Sequence, residues 1–477
     1  MRVVRGSSKA TVARLGGGVL ALVLTLMGCA GPRALDSADA GRTAAYAPGV
    51  PDFDLEVVPA GLEGEPGAAL YLSIPHRSLR FVREADTTYR ATFETMIRVL
   101  DSRGRTRLRE IGRMDTVRVA TQAATQRFDP VVRRQTLTLD PSTYQIEVVL
   151  IDLESEAQAV RRQRVNIPDP AETPLLGGVR LEGYRPGAGT FEPVVSLHVP
   201  EVVDPLRAVL ELYAPAHGSE PPTGARFRLL QMPADTAAAD PLYWQQGLGG
   251  LLIYNGIRYD QADTLQVTER RLPPFEDDIR IEFVLPPLDP GVYRLEMEVD
   301  AAQAYPIPPR EVIVQGHAFP AVTTLDEMTQ ALAYIAFDDE LERIRSAETP
   351  REQKARFDAF WGRLFSNRAK AAAVVEQYYS RVEEANLRFT SHKAGWKTDR
   401  GLLYILMGPP LFVEERPDRE IWHYSYADRD PLRTYVFERL QPMDEASILE
   451  HHVLQRRAYY DRVWRQAVER WRRGEAM

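Results

Sequence analysis

Between Tyr89 and Leu100 the side chains alternate. Ala91, Phe93, Thr95, Ile97 and Val99 fall on one side of the pattern, and Arg90, Thr92, Glu94, Met96, Arg98 and Leu100 on the other, until Asp101-Ser102-Arg103-Gly104 breaks the run. Period two ending in a turn cluster predicts a half-buried strand that enters a hairpin. Further strands are expected at Leu70–Ile74, Thr116–Ala120, Gln135–Leu139 and Tyr144–Leu150. Many short strands with turns between them argue for a sandwich rather than a parallel sheet.

A repeat extends this reading. Leu139-Asp140-Pro141-Ser142-Thr143-Tyr144-Gln145-Ile146-Glu147-Val148 recurs as Leu288-Asp289-Pro290-Gly291-Val292-Tyr293-Arg294-Leu295-Glu296-Met297, an offset of about one domain. In each copy an Asp-Pro turn precedes a Tyr that opens a strand, which resembles the tyrosine corner of immunoglobulin-like and fibronectin-like sandwiches. Two sandwiches follow, over 51–168 and 174–317, joined across the proline-rich stretch Asn166–Pro174, whose prolines cannot continue a ladder. Ile253-Tyr254-Asn255-Gly256-Ile257-Arg258-Tyr259 reads as a hairpin with a type I′ turn at Asn-Gly. The aromatic and glycine-rich loop before it makes Tyr243, Trp244 and Tyr254 a candidate binding loop.

Beyond Val314 the period becomes helical. Thr324-Leu325-Asp326-Glu327 is a capping box, and Thr349-Pro350-Arg351-Glu352 starts a second helix with proline at its first position. Val374, Tyr378, Val382, Ala385 and Phe389 form the stripe of a third. Three strands are expected next, Leu402–Met407, Glu420–Ala427 and Thr434–Leu440, then a final helix from about Asp444 that turns Leu449, Val453, Tyr460, Val463, Trp464, Ala467 and Trp471 inward. The fold class is therefore multidomain, all-β plus α+β: two immunoglobulin/fibronectin-like sandwiches, then a helical segment and a small antiparallel sheet over 320–477.

The amino terminus has a different grammar. Arg2, Arg5, Lys9 and Arg14 precede an apolar run, Leu15–Met27, that is short for a membrane span, as in a signal peptide over 1–28. The run ends Leu26-Met27-Gly28-Cys29, which resembles the lipobox of bacterial lipoproteins, and Cys29 is the only cysteine of the 477 residues. The resemblance implies cleavage before Cys29, lipid attachment there, and Ala30 as a signal for the outer membrane. Two or more acyl chains suffice for stable anchoring. Residues 29–50 are small and polar, the composition of a flexible tether.

Charge narrows the partners. Loss of the leader takes 59 basic residues to 55 against 67 acidic, net −12, which disfavours nucleic acid. One cysteine excludes internal disulfides and Cys-ligated metal sites. No histidine has zinc-ligand spacing, and no P-loop or GxSxG elbow is present, so no metal or cofactor is expected. Asp277-Asp278, Asp338-Asp339-Glu340 and Asp428-Arg429-Asp430 read as turns or helix ends. The arginines crowding 456–473 read as a solvated helix face favoured near a helix C-terminus, with a partner surface as the functional alternative.

Gly395-Trp396-Lys397-Thr398-Asp399-Arg400-Gly401, followed by Tyr404-Ile405-Leu406-Met407-Gly408-Pro409-Pro410 and Glu420-Ile421-Trp422-His423-Tyr424, resembles the GWxTD domain family of bacterial envelope proteins. The resemblance brings no established activity. Physically, Gly395 and Gly401 offer backbone freedom, Trp396 a large body with one N–H, and Thr398 and Asp399 acceptors for the amides of the next element. These are parts of a locked corner. The expectation is an envelope protein that is anchored through Cys29 and acts as a non-enzymatic interaction or assembly module with other envelope proteins as partners. Two alternatives stay open: a hydrolase pairing Asp399 with a second carboxylate or a histidine such as His423, and a glycan- or peptide-binding lipoprotein using Tyr243–Tyr259.

Overall fold

A computed structural model describes residues 42–476, apart from 44–45, 47–48, 63–64, 86, 127–129, 170–176, 186–188, 201–202, 214–221, 245–255, 275–277, 301–306, 417, 428–429 and 441–450. The leader, Cys29, most of the expected tether and Tyr254 lie outside the described residues.

Strand β1 (Arg42–Thr43) is followed by β2 (Asp54–Leu62), β3 (Glu65–Pro75), β4 (Val82–Ala85), β5 (Thr88–Leu100), β6 (Arg107–Val119), the single helical turn α1 (Gln122–Thr125), β7 (Pro130–Thr138), β8 (Ser142–Asp152) and β9 (Gln158–Ile167). One sheet orders β2-β3-β7 and another β4-β5-β8-β9, with β6 on the free side of β5. On β5 the expected inward positions Ala91, Phe93, Ile97 and Val99 are buried, and they meet Leu70, Leu72 and Ile74 of β3 in one core. The alternation predicted from sequence is the alternation observed.

The second group comprises β10 (Arg180–Arg185), β11 (Thr190–Pro193), β12 (His198–Pro200), β13 (Leu206–Leu212), β14 (Gly224–Met232), β15 (Asp263–Arg271), β16 (Ile279–Val284), β17 (Gly291–Asp300) and β18 (Arg310–Gln315). Its sheets order β11-β10-β13-β16 and β12-β18-β17-β14-β15, all antiparallel except for the β12–β18 pair. Phe227, Phe283 and Leu295 fill the core between them. The two repeats close alike: Tyr144 Oη donates to the Asp140 carbonyl at 3.0 Å and Tyr293 Oη to the Asp289 carbonyl at 2.7 Å. Each hydrogen bond ties the Asp-Pro turn to the strand it feeds. Between the groups Val58, Ala60 and Tyr71 pack on Val195 and Tyr213, and Arg310 pairs with buried Glu56 while donating to the Val194 and Val195 carbonyls at 3.0 and 3.2 Å.

The expected β-hairpin falls partly outside the described residues. Where it re-enters, Ile257 makes a lone bridge to Ala234 and Tyr259–Gln261 is a 3₁₀ turn rather than a strand.

The carboxy-terminal part contains α2 (Leu325–Ala331), α3 (Asp338–Arg345), α4 (Pro350–Leu364), α5 (Arg368–Phe389), α6 (Asp399–Met407), β19 (Phe412–Glu415), β20 (Arg419–His423), β21 (Thr434–Leu440), β22 (His451–Leu454) and α7 (Tyr460–Arg473). The Thr324–Glu327 capping box and the Thr349 cap form as the sequence requires, and the stripe of α5 is buried from Val374 to Phe389. Three expectations need correction. Leu402–Met407 is the body of α6, not a strand, because Thr398 caps a helix there and five successive residues from Leu402 are buried on every side. A short apolar run buried all round carries no period. The sheet has five strands, β1-β19-β20-β21-β22, rather than three. The last helix starts at Tyr460, since His451–Leu454 pairs with β21 instead; Leu449 lies outside the described residues, and Val463 and Trp464 are only half-buried.

The expected tether is corrected at its end. Arg42 and Thr43 pair with Glu414 and Val413, and Tyr46 packs its ring 5.0 Å from Phe389 and 5.2 Å from Trp422. The chain therefore enters the structure at its own carboxy-terminal sheet. Among the described residues no helix is long and apolar enough to cross a membrane.

Replacing either corner tyrosine by Phe removes one net hydrogen bond, about 1 kcal/mol. Y144F and Y293F should each lower the urea midpoint of the transition that carries their own sheet pair, measured by circular dichroism.

Candidate functional site

The Gly-Trp-Lys-Thr-Asp-Arg-Gly segment turns a corner between α5 and α6. Thr398 caps α6: its hydroxyl accepts the Gly401 amide at 3.0 Å and donates to the Gly395 carbonyl at 2.7 Å. A Cβ on Gly401 would sit 1.9 Å from the Gly395 carbonyl oxygen, and one on Gly395 would sit 2.0 Å from the Ala385 carbonyl oxygen. Both glycines are thus required by backbone contact rather than by the torsional freedom expected of them. Trp396 is 4% exposed, its amide donating to Asn386 Oδ1 at 3.1 Å and its carbonyl accepting the Tyr334 hydroxyl at 2.8 Å. An indole so enclosed is a wedge in the core and not a stacking platform.

Asp399 is buried at the start of α6. Its Oδ2 accepts the Leu454 amide at 2.7 Å and an Arg456 N–H at 3.0 Å, while Oδ1 takes a second Arg456 N–H at 2.6 Å. Arg456 also donates to the Asp240 and Pro241 carbonyls at 3.0 and 3.2 Å. One guanidinium thereby joins the motif, the end of β22 and the β14–β15 connection. That connection is anchored further by Leu242, which is fully buried in the helical core, and by the Lys393 ammonium on the Ala237 carbonyl at 2.9 Å.

Arg400, the next motif residue, reaches a second buried carboxylate. Glu420 Oε2 accepts Arg400 at 3.1 Å, and Oε1 accepts the Trp422 indole N–H at 2.7 Å and the Tyr46 hydroxyl at 2.6 Å. Burial first, and Glu420 second, push the Tyr46 hydroxyl well above its ordinary pKa. At the far end of α6, Gly408 adopts φ +81°, and its carbonyl accepts the Tyr424 hydroxyl at 2.7 Å. Arg381 and the Trp471 indole N–H take the Ile405 and Leu406 carbonyls at 3.1 and 3.3 Å. Pro409 is exposed and starts the turn into β19.

The structure brings Gly395, Trp396, Thr398, Asp399, Arg400, Gly401, Gly408, Trp422 and Tyr424 around α6, but it leaves His423 away from Asp399 and beside Glu414 at 3.7 Å. Of the candidate loop, Tyr243 packs edge-on to Trp464 at 6.3 Å and Trp244 is 57% exposed. Sequence reading missed Tyr46, Asn386, Glu420 and Arg456 as site residues. Only Glu420 left a signal: it shares the inward parity of Trp422 on β20, where a charge needs a partner. The arginines of α7 are largely engaged, Arg465 within the helix with Asp461 at 3.0 Å and Arg472 across to Glu340 of α3 at 2.7 Å. Among the described residues no cluster of His, Cys, Asp or Glu could hold a metal ion.

Behind the corner the His392 and His451 rings lie 4.5 Å apart. Burial pulls His392 down from 6.5 to about 4 and lowers His451 and His452 further. The folded state keeps these rings neutral while the unfolded chain protonates near 6.5, so stability is lost as pH falls below that value, by up to about 1.4 kcal/mol per unit for each ring. H392Q should flatten the slope of unfolding free energy between pH 6.5 and 4. Removing the charge of Asp399 leaves Arg456 buried without its counter-ion, a cost of about 3–5 kcal/mol. D399N should therefore melt the carboxy-terminal part first, detected by tryptophan fluorescence in urea.

No curated protein matches this chain. Among solved structures, red sea bream transglutaminase is 11% identical over 55% of this chain and 31% of that one, with a TM-score of 0.17. Trypsin-activated alpha-2-macroglobulin from Escherichia coli is 12% identical over 56% of this chain and 17% of that one, also with a TM-score of 0.17. The chain thus spans under a third of either, at a TM-score too low to imply a common fold. The family match agrees with the corner itself, and it begins upstream of the motif at the tyrosine-corner strand β17: residues 291–473 match the model of the GWxTD domain.

Proposed function

We propose that this is a lipid-anchored cell-envelope protein whose GWxTD domain is a non-enzymatic interaction module held out by two sandwiches. The observation that carries the reading is the state of Asp399. Both its oxygens are taken by the Leu454 amide and the Arg456 guanidinium, and a guanidinium that stays protonated in proteins can neither accept nor deliver a proton at neutral pH. A hydrolase built on this carboxylate would need a second group able to exchange protons within hydrogen-bond reach. The motif instead fixes the shape of a surface. The envelope placement is supported by Leu26-Met27-Gly28-Cys29 behind a basic, apolar leader, and sorting to the outer rather than the inner membrane by Ala30 after the cysteine.

Two measurements test the parts separately. Cells fed an alkyne fatty acid should label the wild-type protein, and C29S should lose both label and membrane fractionation; a labelled or membrane-bound C29S protein overturns the anchor. Crosslinking of intact envelopes followed by affinity capture of the full-length chain should return a defined set of envelope proteins. An empty capture, or turnover of peptidoglycan, peptide or glycan that D399A abolishes, overturns the interaction reading.

A further inference from the structure

Beside the corner, α2, the end of α3 and the segment 234–238 border an open cleft of about 680 Å³, within the roughly 300–1,000 Å³ of ligand sites. Asp235, Thr236, Asp326, Arg345, Trp396 and Lys397 are among the residues that line it. Its acids have partners. Asp235 Oδ1 accepts the Ala237 amide at 2.8 Å and its other oxygen faces the Lys393 ammonium at 3.9 Å, while Asp326 Oδ2 accepts Gln330 at 2.7 Å. The donors of the cleft are in a different state. Among the described residues the Arg345 guanidinium makes no hydrogen bond or ion pair, and the Lys397 ammonium, partly withdrawn from water and 5.3 Å from the Trp396 ring, has no carboxylate within 4.0 Å. The indole N–H of Trp396 has no acceptor among the described residues, although the residue is 4% exposed; the fully buried indoles of Trp422 and Trp471 each donate, at 2.7 and 3.3 Å, while that of Trp361, also 4% exposed, likewise has no partner.

The opposite wall is a stretch of chain outside any sheet. Ala237 and Ala239 are committed to the helical side, the Ala237 carbonyl to Lys393 at 2.9 Å and the Ala239 amide to the Tyr334 hydroxyl at 3.3 Å. Thr236 and Ala238, the alternate residues on this wall, have no backbone partner among the described residues. Unpaired main chain beside a side-chain pocket is how a protein takes up an extended peptide, main-chain bonds holding it and pockets selecting it.

We propose that this cleft binds an extended peptide segment bearing an acidic side chain, the peptide main chain pairing with Thr236 and Ala238 and its carboxylate received by Lys397, Arg345 and the Trp396 indole N–H. The proposal deepens the interaction reading of the GWxTD domain and rests on it, but it does not depend on the lipid anchor. It also gives Trp396 and Lys397, the motif's second and third residues, a use beyond the corner.

The test uses full-length protein in detergent and a fluorescein-labelled, capped octapeptide of alternating alanine and glutamate, read by anisotropy. Saturable binding is expected, with the glutamine counterpart at least tenfold weaker and the K397E/R345E double variant at least tenfold weaker than wild type. T236P, which deletes one amide of the pairing edge and leaves the charges alone, should weaken binding as well. Circular dichroism establishes that the variants fold, as the exposure of Arg345 and Thr236 leads one to expect. Equal binding of the glutamate and glutamine peptides, or unchanged binding by K397E/R345E, overturns the proposal. Displacement of the octapeptide by inorganic phosphate at matched ionic strength would also overturn it, because the cleft would then be an oxyanion pocket. In crosslinked envelopes, a double variant that keeps the wild-type set of captured proteins sinks the cleft and leaves the interaction reading standing. Octapeptide binding beside an empty wild-type capture does the reverse.

Discussion

Asp399 and Arg456 place opposite charges where water has been removed, and that pairing sets the terms for everything around it. Desolvating two ions costs several kcal/mol each, which only close contact and full hydrogen bonding can offset. The geometry meets that demand by recruiting groups from two further places: the amide of Leu454 on β22, which donates to Asp399, and the carbonyls of Asp240 and Pro241, which accept from Arg456. Each recruited group must be held within a fraction of an ångström for the pair to persist. The helix, the sheet and residues 237–242 of the β14–β15 connection are consequently tied to one another, and this stretch packs with the helical core although its sequence belongs to the sandwich before it.

The second buried carboxylate works by a different logic. Glu420 gathers donors of graded strength, a guanidinium, an indole and a phenol, and only the guanidinium is charged. Neighbouring residues Asp399 and Arg400 therefore project to two separate networks, one binding the domain to the preceding sandwich and one binding the chain's entry segment to the sheet. The specificity of the motif resides in this division. The two glycines let α5, the corner and α6 approach at backbone contact, which brings both networks within side-chain reach.

Much of the architecture was legible. Alternation on β5, the repeated Asp-Pro-x-x-Tyr signature, the caps at Thr324 and Thr349 and the stripe of α5 are local patterns with a fixed period or a fixed offset, and the structure follows them. Leu402–Met407 failed because a segment buried on every side has no polar face to reveal its period. His451–Leu454 failed because four residues cannot display one. The candidate site was legible as a motif but not as a mechanism: Thr398 and Asp399 were recognisable as acceptors, whereas Arg456, Tyr46 and Asn386 carry no mark that distinguishes them from other residues of their type. The role of Gly395 and Gly401 was assigned to torsional freedom since close approach of distant backbone is invisible in a linear sequence.

The pairing of β1 with β19 has a consequence in time. Tyr46 and Glu420 are separated by 374 positions, so at roughly 5–20 residues per second the segment that carries Tyr46 leaves the ribosome about 20–75 s before its partner exists. In the course of that interval both sandwiches become complete as sequences, while the strap that will close the last sheet must wait without a strand to pair with. Closing so long a loop is slow and entropically opposed, which places this contact among the final steps of maturation. Its formation reports that synthesis has reached the far end of the chain.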